Sequence, residues 1–498
     1  MQKKLANILF STRLTGILFI VYFVSMIIGT FMDAGQDTSP TPYSRYYIYN
    51  AWWFEAIQII FVINFIGNIF RYRLFRKEKW ATLTLHLAFI FILIGAGITR
   101  YIGFEGWMPI REGETENTYL TRDVFLTTFI DGDLVVNGQQ QRRVEQERVD
   151  FSERLDNDVT IKSAYNGTPV TIQVKKFIKD AELDIIPGDV GDSYLKLVEA
   201  GDEGSHSHYI KEGDEDGELI HNIVFTLNNP KPGAVNITSK GNKMFIESPF
   251  EGDYMVMATK ETGALLKDTI QPFRLRSRYQ FANMALVFPK PITQGQFGVV
   301  KKSQLLQSRE DGVVVDVTAN GETKTVNLLG GQYINGRFEQ VNVGGLDIAV
   351  KYGSIVKELP FSIKLNDFVA ERYPGTENNF SAFSSQVTVI KPNQTPYDYK
   401  IFMNNVLDEE GFRFFQSSYY PDEKGTKLSV NHDRWGTWVT YFGYMLLYFG
   451  MMAILFAKGS RFGDLKRMLV KVKAKKAKTL TVLLFFFGMF GFSQEHSE

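Results

Sequence analysis

Four apolar stretches, each long enough to cross a bilayer as a helix, constrain this chain more than any other feature. They are Leu14–Met32, Trp53–Phe70, Trp80–Thr99 and Trp435–Phe456, against a need of about 20 residues per crossing. Hydrocarbon offers no partner to an open backbone N–H or C=O, so such stretches fold as helices. Between the third and the fourth lies a long segment, 100–434, with no run of spanning length. The mean hydropathy of -0.12 therefore averages two unlike parts.

Lys3, Lys4 and Arg13 precede the first stretch, as in a signal peptide, but it is long for one and no small-residue cleavage site follows closely. It is expected to stay as a span. A shorter fifth stretch, Thr479–Ser493, follows a run of lysines from Lys471 to Lys478. It is expected to return the backbone across the membrane, with the polypeptide continuing past Glu498 or handing over to a second chain. The positive-inside rule puts the N-terminus, the Arg71–Lys79 loop and the basic 458–478 loop in the cytoplasm. The 33–52 loop and the 100–434 segment then lie outside, with Arg100 and Arg434 as weak exceptions. The expected divisions are 1–99 (three spans), 100–434, 435–457 (fourth span), 458–478 and 479–498.

The outer segment reads as β-structure. Asn166-Gly167 separates two alternating runs and predicts a type I′ hairpin. Asp131-Gly132, Asn137-Gly138 and Gly344-Gly345 are further turn signals, and Ser385–Ile390 and Lys427–Asn431 read as strands. The fold class is therefore a polytopic α-helical membrane protein with a large extracytoplasmic β-rich domain, built as one or two sandwich-like modules. The stretch from Gly201 to Gly217 reads as an acidic surface loop.

Formal net charge is zero, which gives no support for wholesale nucleic-acid binding. There is no cysteine. That excludes disulfides, a thiolate zinc site, a dithiol redox pair and a covalently attached c-type haem within this chain. No nucleophile elbow, phosphate-binding loop, zinc-protease motif or dinucleotide fingerprint occurs.

His86 is the only histidine inside an apolar stretch. An imidazole in hydrocarbon is costly without a partner, and it is also a common ligand of haem iron. It lies about 9 Å along the helix from Trp80, in the half nearer the basic loop. Thr82, Phe89, Ile90, Leu93 and Gly97 share its face and would offer a haem plane apolar contacts. The competing reading is a packing histidine bonded to a neighbouring helix. Bis-histidine ligation would need a second imidazole from a partner or a continuation of the chain.

Other features have plainer readings. Arg71, Arg73 and Arg76, with Lys77 and Lys79, set topology, or attract haem propionates or anionic lipid. Asn64 and Asn68 share a helix face and are expected to bond other helices, while Glu55 reads as solvated. Gly436, Gly443 and Gly450 recur every seven residues and predict a close helix–helix contact. His206, His208 and His221 stand among Asp202, Glu203 and other acids. A solvated loop is the plain reading and a zinc site the rival one. His432 lies just outside the last span.

LTLHLAFIFILIGAGIT followed by GFEGWMPIREGE resembles the ResB/CcsB family of cytochrome c biogenesis (System II) proteins. So do Leu359–Val389 and Glu410–Asn431, the latter directly before a span. The chain is similar to the N-terminal half of a CcsBA-type fusion. Where many relatives carry Asp-Pro-Gly, this chain has His432-Asp433-Arg434-Trp435-Gly436, so the start of its last long span is individual.

The resemblance implies a bacterial inner-membrane protein whose large domain is periplasmic. It implies a CcsA-type partner, separate or fused, together with apocytochrome c and a thioredoxin-like thiol reductant. It also implies non-covalent, transient haem b ligated by His86, with the second axial ligand from the partner. The expected function is a haem-handling subunit of the cytochrome c synthase, not catalytic alone, that moves haem outward for attachment. A cofactor-free membrane-anchored scaffold is the alternative. A transporter would show more intramembrane charge than Glu55, and a b-type electron carrier would not support cytochrome maturation.

Overall fold

The computed structural model describes residues 2–35, 39–136, 138–201, 204–241, 243–302, 310–376, 379–456 and 461–492. It divides into two compact units, Met1–Arg122 with Lys357–Glu498, and Asp123–Val356. The chain passes between them within the strands Thr115–Val136 and Leu346–Arg372.

The first unit holds the helices α1 (Gln2–Leu9), α2 (Thr12–Met32), α3 (Trp52–Arg71), α4 (Trp80–Tyr101), α5 (Arg434–Phe456) and α6 (Arg461–Phe492). Among the described residues, α2, α3, α5 and the Lys77–Tyr101 segment containing α4 are long and apolar enough to span a membrane. Ser11 separates α1 from α2. It has an extended backbone, and its hydroxyl accepts from the Leu14 N–H at 3.2 Å, filling one donor that a helix start leaves open.

Two kinds of packing join the spans. Leu18, Phe61, Phe65, Ile69 and Ile90 form an apolar core among α2, α3 and α4, with Phe65 stacked on Phe61 and Phe89 at 5.6 and 5.3 Å. The α4–α5 contact is a seam of small residues. Gly436, Gly443, Gly450 and Ala453 are the buried residues of α5. A Cβ on Gly443 would lie 2.9 Å from the Ile92 backbone nitrogen, and one on Gly95 would lie 2.8 Å from that of Thr440. The seven-residue glycine spacing thus reports backbones in near contact, where dispersion replaces the hydrophobic driving force that lipid removes.

The same unit carries a sheet in which Phe104–Arg111 pairs antiparallel with Gly425–His432, Phe104 opposite His432 and Arg111 opposite Gly425. Phe380–Ile390, Tyr397–Phe402 and Phe412–Tyr419 extend it. Alternate residues, including Met108, Ile110, Phe361, Ile363, Val387 and Leu428, fill its core. Each fully buried aliphatic side chain there contributes about 2 kcal/mol.

The second unit is all β and has two cores. Leu126, Ile130, Ile172, Val315, Leu328 and Val350 are among the residues of one. Leu195, Phe225, Ile237, Tyr279 and Phe288 are among those of the other. Tyr165 pairs with Thr168 across Asn166-Gly167, and both turn residues have positive φ (46° and 83°), as a type I′ turn requires. Gly344-Gly345 closes a hairpin in the same way, with Val343 opposite Leu346.

Three expectations need correction. Asp131-Gly132 is not a turn: it lies inside Thr115–Val136 at a register shift between Asp131 and Val135. Asn137 and the acidic pair Asp202 and Glu203 lie outside the described residues. The supposed acidic loop contains a strand, Gly204–Lys211, paired with Ala181–Gly201. Its two apolar residues, Tyr209 and Ile210, are adjacent, so the segment carries no alternating signal in the sequence. The described part of the basic loop is helical: α6 runs unbroken through Lys471–Lys478, because lysine and alanine are good helix formers.

Candidate functional site

His86 is partly buried on α4. Its Nδ1 lies 2.9 Å from the Thr82 carbonyl one turn earlier. A carbonyl only accepts, so Nδ1 carries the hydrogen in that bond. In the neutral imidazole the Nε2 lone pair is then free, the tautomer a metal ligand needs. The edge of the ring packs against Phe65 of α3 (5.5 Å between centroids, planes at 83°). Helical spacing puts Leu85, Ala88, Ile92 and Gly95 along the α5 seam, and His86 well over 90° away from it. The imidazole therefore belongs to the α3 side of α4.

Part of the expected haem face is already in use. Ile90 is buried in the core among α2, α3 and α4, with Phe89 and Leu93 packed against it. Gly97 remains open, with nothing within 4 Å of an added Cβ. Sequence periodicity identifies which residues share a face but not how much of it neighbouring helices cover.

The basic cluster divides. Arg71 donates from Nη1 to the carbonyls of Asn7 and Phe10 at 2.8 and 2.9 Å, so it holds the end of α1 and the α1–α2 break. Arg73 is exposed at a left-handed turn (φ 50°). Arg76 is exposed and starts the short 3-10 turn Lys77–Lys79.

The amide pair bonds other elements, as its spacing predicts. Asn64 and Asn68 are 0% and 1% exposed. Asn64 donates to the Leu9 and Ser11 carbonyls (2.6 and 3.2 Å) and accepts from Thr15 (2.6 Å) and Asn68 (2.9 Å). Glu55 is not simply solvated: it pairs with Arg100 at the end of α4, and Arg100 also donates to the Tyr49 carbonyl at 2.7 Å. Asp433 is the feature sequence reading missed. It accepts from the Thr99 hydroxyl at 2.5 Å and from the Gly436 N–H at 3.1 Å, capping α5 while tying it to the end of α4. An aspartate directly before a helix start is a capping signal, but its partner Thr99 has no sequence signature.

Among the described residues the other histidines form no second centre. His221 Nε2 is 3.0 Å from Glu199 Oε1, and His208 Nε2 is 3.6 Å from Glu199 Oε2. Among the described residues no group of three or more His, Cys, Asp or Glu is placed to hold a metal ion. The side chain of His206 lies outside the described residues. His432 lies against Phe412, with centroids 4.2 Å apart.

Spanning helices joined to a β-rich domain, with one histidine among the spans, define a membrane-anchored β-domain protein. Residues 334–431 match the ResB-like family model. The chain is similar to Protein NrfI of Wolinella succinogenes, at 26% identity over 448 residues, 90% of this chain and 34% of NrfI. The chain thus spans about a third of that relative's length.

Proposed function

We propose that the chain is a haem-handling membrane subunit in cytochrome c biogenesis, with His86 as an axial ligand. The observation that carries this reading is the Thr82 carbonyl bond, which leaves Nε2 as the available nitrogen. The residues present fit haem in chemistry: one neutral imidazole, held against the Phe65 ring, and an open position at Gly97. When bound, haem supplies vinyl groups that accept the cysteine thiols of an apocytochrome.

The chain's own contribution is positioning. Thr82 and Phe65 restrict the imidazole ring, and the packed faces of α2, α3 and α4 keep water from it. The absence of cysteine fits a division of labour in which thiols come from substrate and a separate thioredoxin-like reductant. A CcsA-type partner would supply the second imidazole and the attachment step. In this reading the β-rich domain lies on the periplasmic side of a bacterial inner membrane, as the positive-inside rule favours, where apocytochrome would be met. Arg73 and Arg76, being exposed, are better disposed than Arg71 to meet propionates.

The test is purification of wild type and His86→Ala with a CcsA-type partner, followed by haem quantification and absorption spectroscopy. His86→Ala is expected to lose most haem and to lower cytochrome c yield, with added imidazole restoring a bis-nitrogen spectrum. Unchanged haem content and axial spectrum would overturn the assignment and favour a cofactor-free scaffold.

A further inference from the structure

The N-terminal half of α6 has no role in the haem reading, and its chemistry is specific. Leu465, Met468, Leu469 and Val472 recur at the i, i+3, i+4, i+7 spacing of one helix stripe. All are at least half exposed, while Val470 faces nearly the opposite way and is also exposed. Between Asp464 and Lys478 stand seven basic residues against a single acid, Asp464 itself. An apolar stripe flanked by lysines on an exposed helix is the composition of a segment that lies in the headgroup layer of an anionic bilayer.

Chain length supports the same placement. α5 ends at Phe456 and α6 begins at Arg461. Five residues reach at most about 17 Å. If α6 stood upright and entered the bilayer at Thr479, Arg461 would stand about 27 Å above the surface, out of reach of the end of α5. With that entry point the connection closes only if the basic part of α6 leans toward the surface, by about 50° or more from the normal on these lengths.

We propose that residues 461–478 of α6 dock on anionic phospholipid, with Leu465, Met468, Leu469 and Val472 in the headgroup–acyl boundary and the lysines on lipid phosphates. Attraction to anionic lipid amounts to about fivefold in partition for each basic residue near the surface and is screened by salt.

The chain contains no cysteine, so Met468→Cys and Val470→Cys each carry one environment-sensitive fluorophore without further changes. The full chain is reconstituted in nanodiscs of phosphatidylcholine alone or with a third phosphatidylglycerol. With phosphatidylglycerol, the label at 468 is expected to shift to the blue and become several-fold less accessible to acrylamide. The label at 470 stays accessible, and 0.5 M salt reverses the change. Adding Lys466→Gln and Lys473→Gln to Met468→Cys should weaken the response about fivefold per charge removed. Shielding at 468 that is equal in both lipids and insensitive to salt would mean that a protein surface covers the stripe. A label at 468 that stays as exposed as that at 470 would mean that nothing does. Either result overturns the proposal.

Discussion

Gly95 and Gly97 lie two residues apart on α4, yet alanine should act on them in opposite directions. A Cβ on Gly95 would stand 2.2 Å from Thr440 Oγ1, 2.8 Å from Thr440 N and 3.0 Å from Gly436 O, two of these being backbone atoms. Backbone cannot swing aside, so α5 must withdraw. A gap of 0.5–1 Å forfeits about a quarter to a half of each dispersion contact along the seam. Overpacking of this kind costs about 1–3 kcal/mol, toward the upper end here because rigid atoms are struck. At Gly97 nothing lies within 4 Å. Replacing glycine by alanine inside a helix gains about 0.8–1 kcal/mol, equally at both positions. The difference between the two variants thus isolates the steric cost. Gly95→Ala should be less stable than Gly97→Ala by about 2–3 kcal/mol, read from denaturation midpoints followed by circular dichroism in mixed detergent. Equal midpoints would refute the close α4–α5 contact as the source of helix pairing.

Asn64→Ala removes the bond to the Leu9 carbonyl and one of the two acceptors of the Asn68 amide and should cost about 1–2 kcal/mol in the same assay, with Asn64→Asp failing to rescue because a carboxylate cannot donate to Leu9. Asp433→Ala removes the α5 cap and the Thr99 bond and should cost about 1 kcal/mol, whereas Asp433→Asn should retain most of it. In the β-rich unit Asp184 is 4% exposed and lies 3.2 Å from Lys196 and 2.7 Å from Lys290. Burial pushes its carboxyl up, but the Lys290 bond, the Ile185 N–H and Lys196 together outweigh that and hold it below its ordinary value of 3.8. Its stabilising contribution is therefore full above about pH 4 and lost as pH falls through the lowered value. Asp184→Asn should cost about 3 kcal/mol at pH 7 and flatten the acid limb of the stability curve; an unchanged limb would rule out this cluster as its source.

What the sequence makes legible follows from periodicity and local chemistry. The spans, the Gly436–Gly443–Gly450 seam, the Asn166-Gly167 hairpin and the shared face of Asn64 and Asn68 are all short-range patterns, and each appears in the structure. His86 is legible as a residue out of place in hydrocarbon. The bond that orients its ring is one helical turn away, but hydrogen bonds to a backbone carbonyl leave no trace in side-chain identity. Glu55–Arg100 and Thr99–Asp433 join residues 45 and 334 positions apart, distances at which composition carries no information. The strand Gly204–Lys211 was hidden for a different reason: acids around it dominate the local composition, while its pairing is decided by backbone geometry.

The antiparallel pairing of Phe104–Arg111 with Gly425–His432 orders events during synthesis. The small-residue groove of α4 is complete once Tyr101 has been made, but the helix that fills it begins at Arg434. At about 5–20 residues per second, that interval lasts roughly 20–70 seconds. Pairing of the last strand with the first brings the start of α5 next to the end of α4, so the α4–α5 seam can close only after the intervening chain has been made.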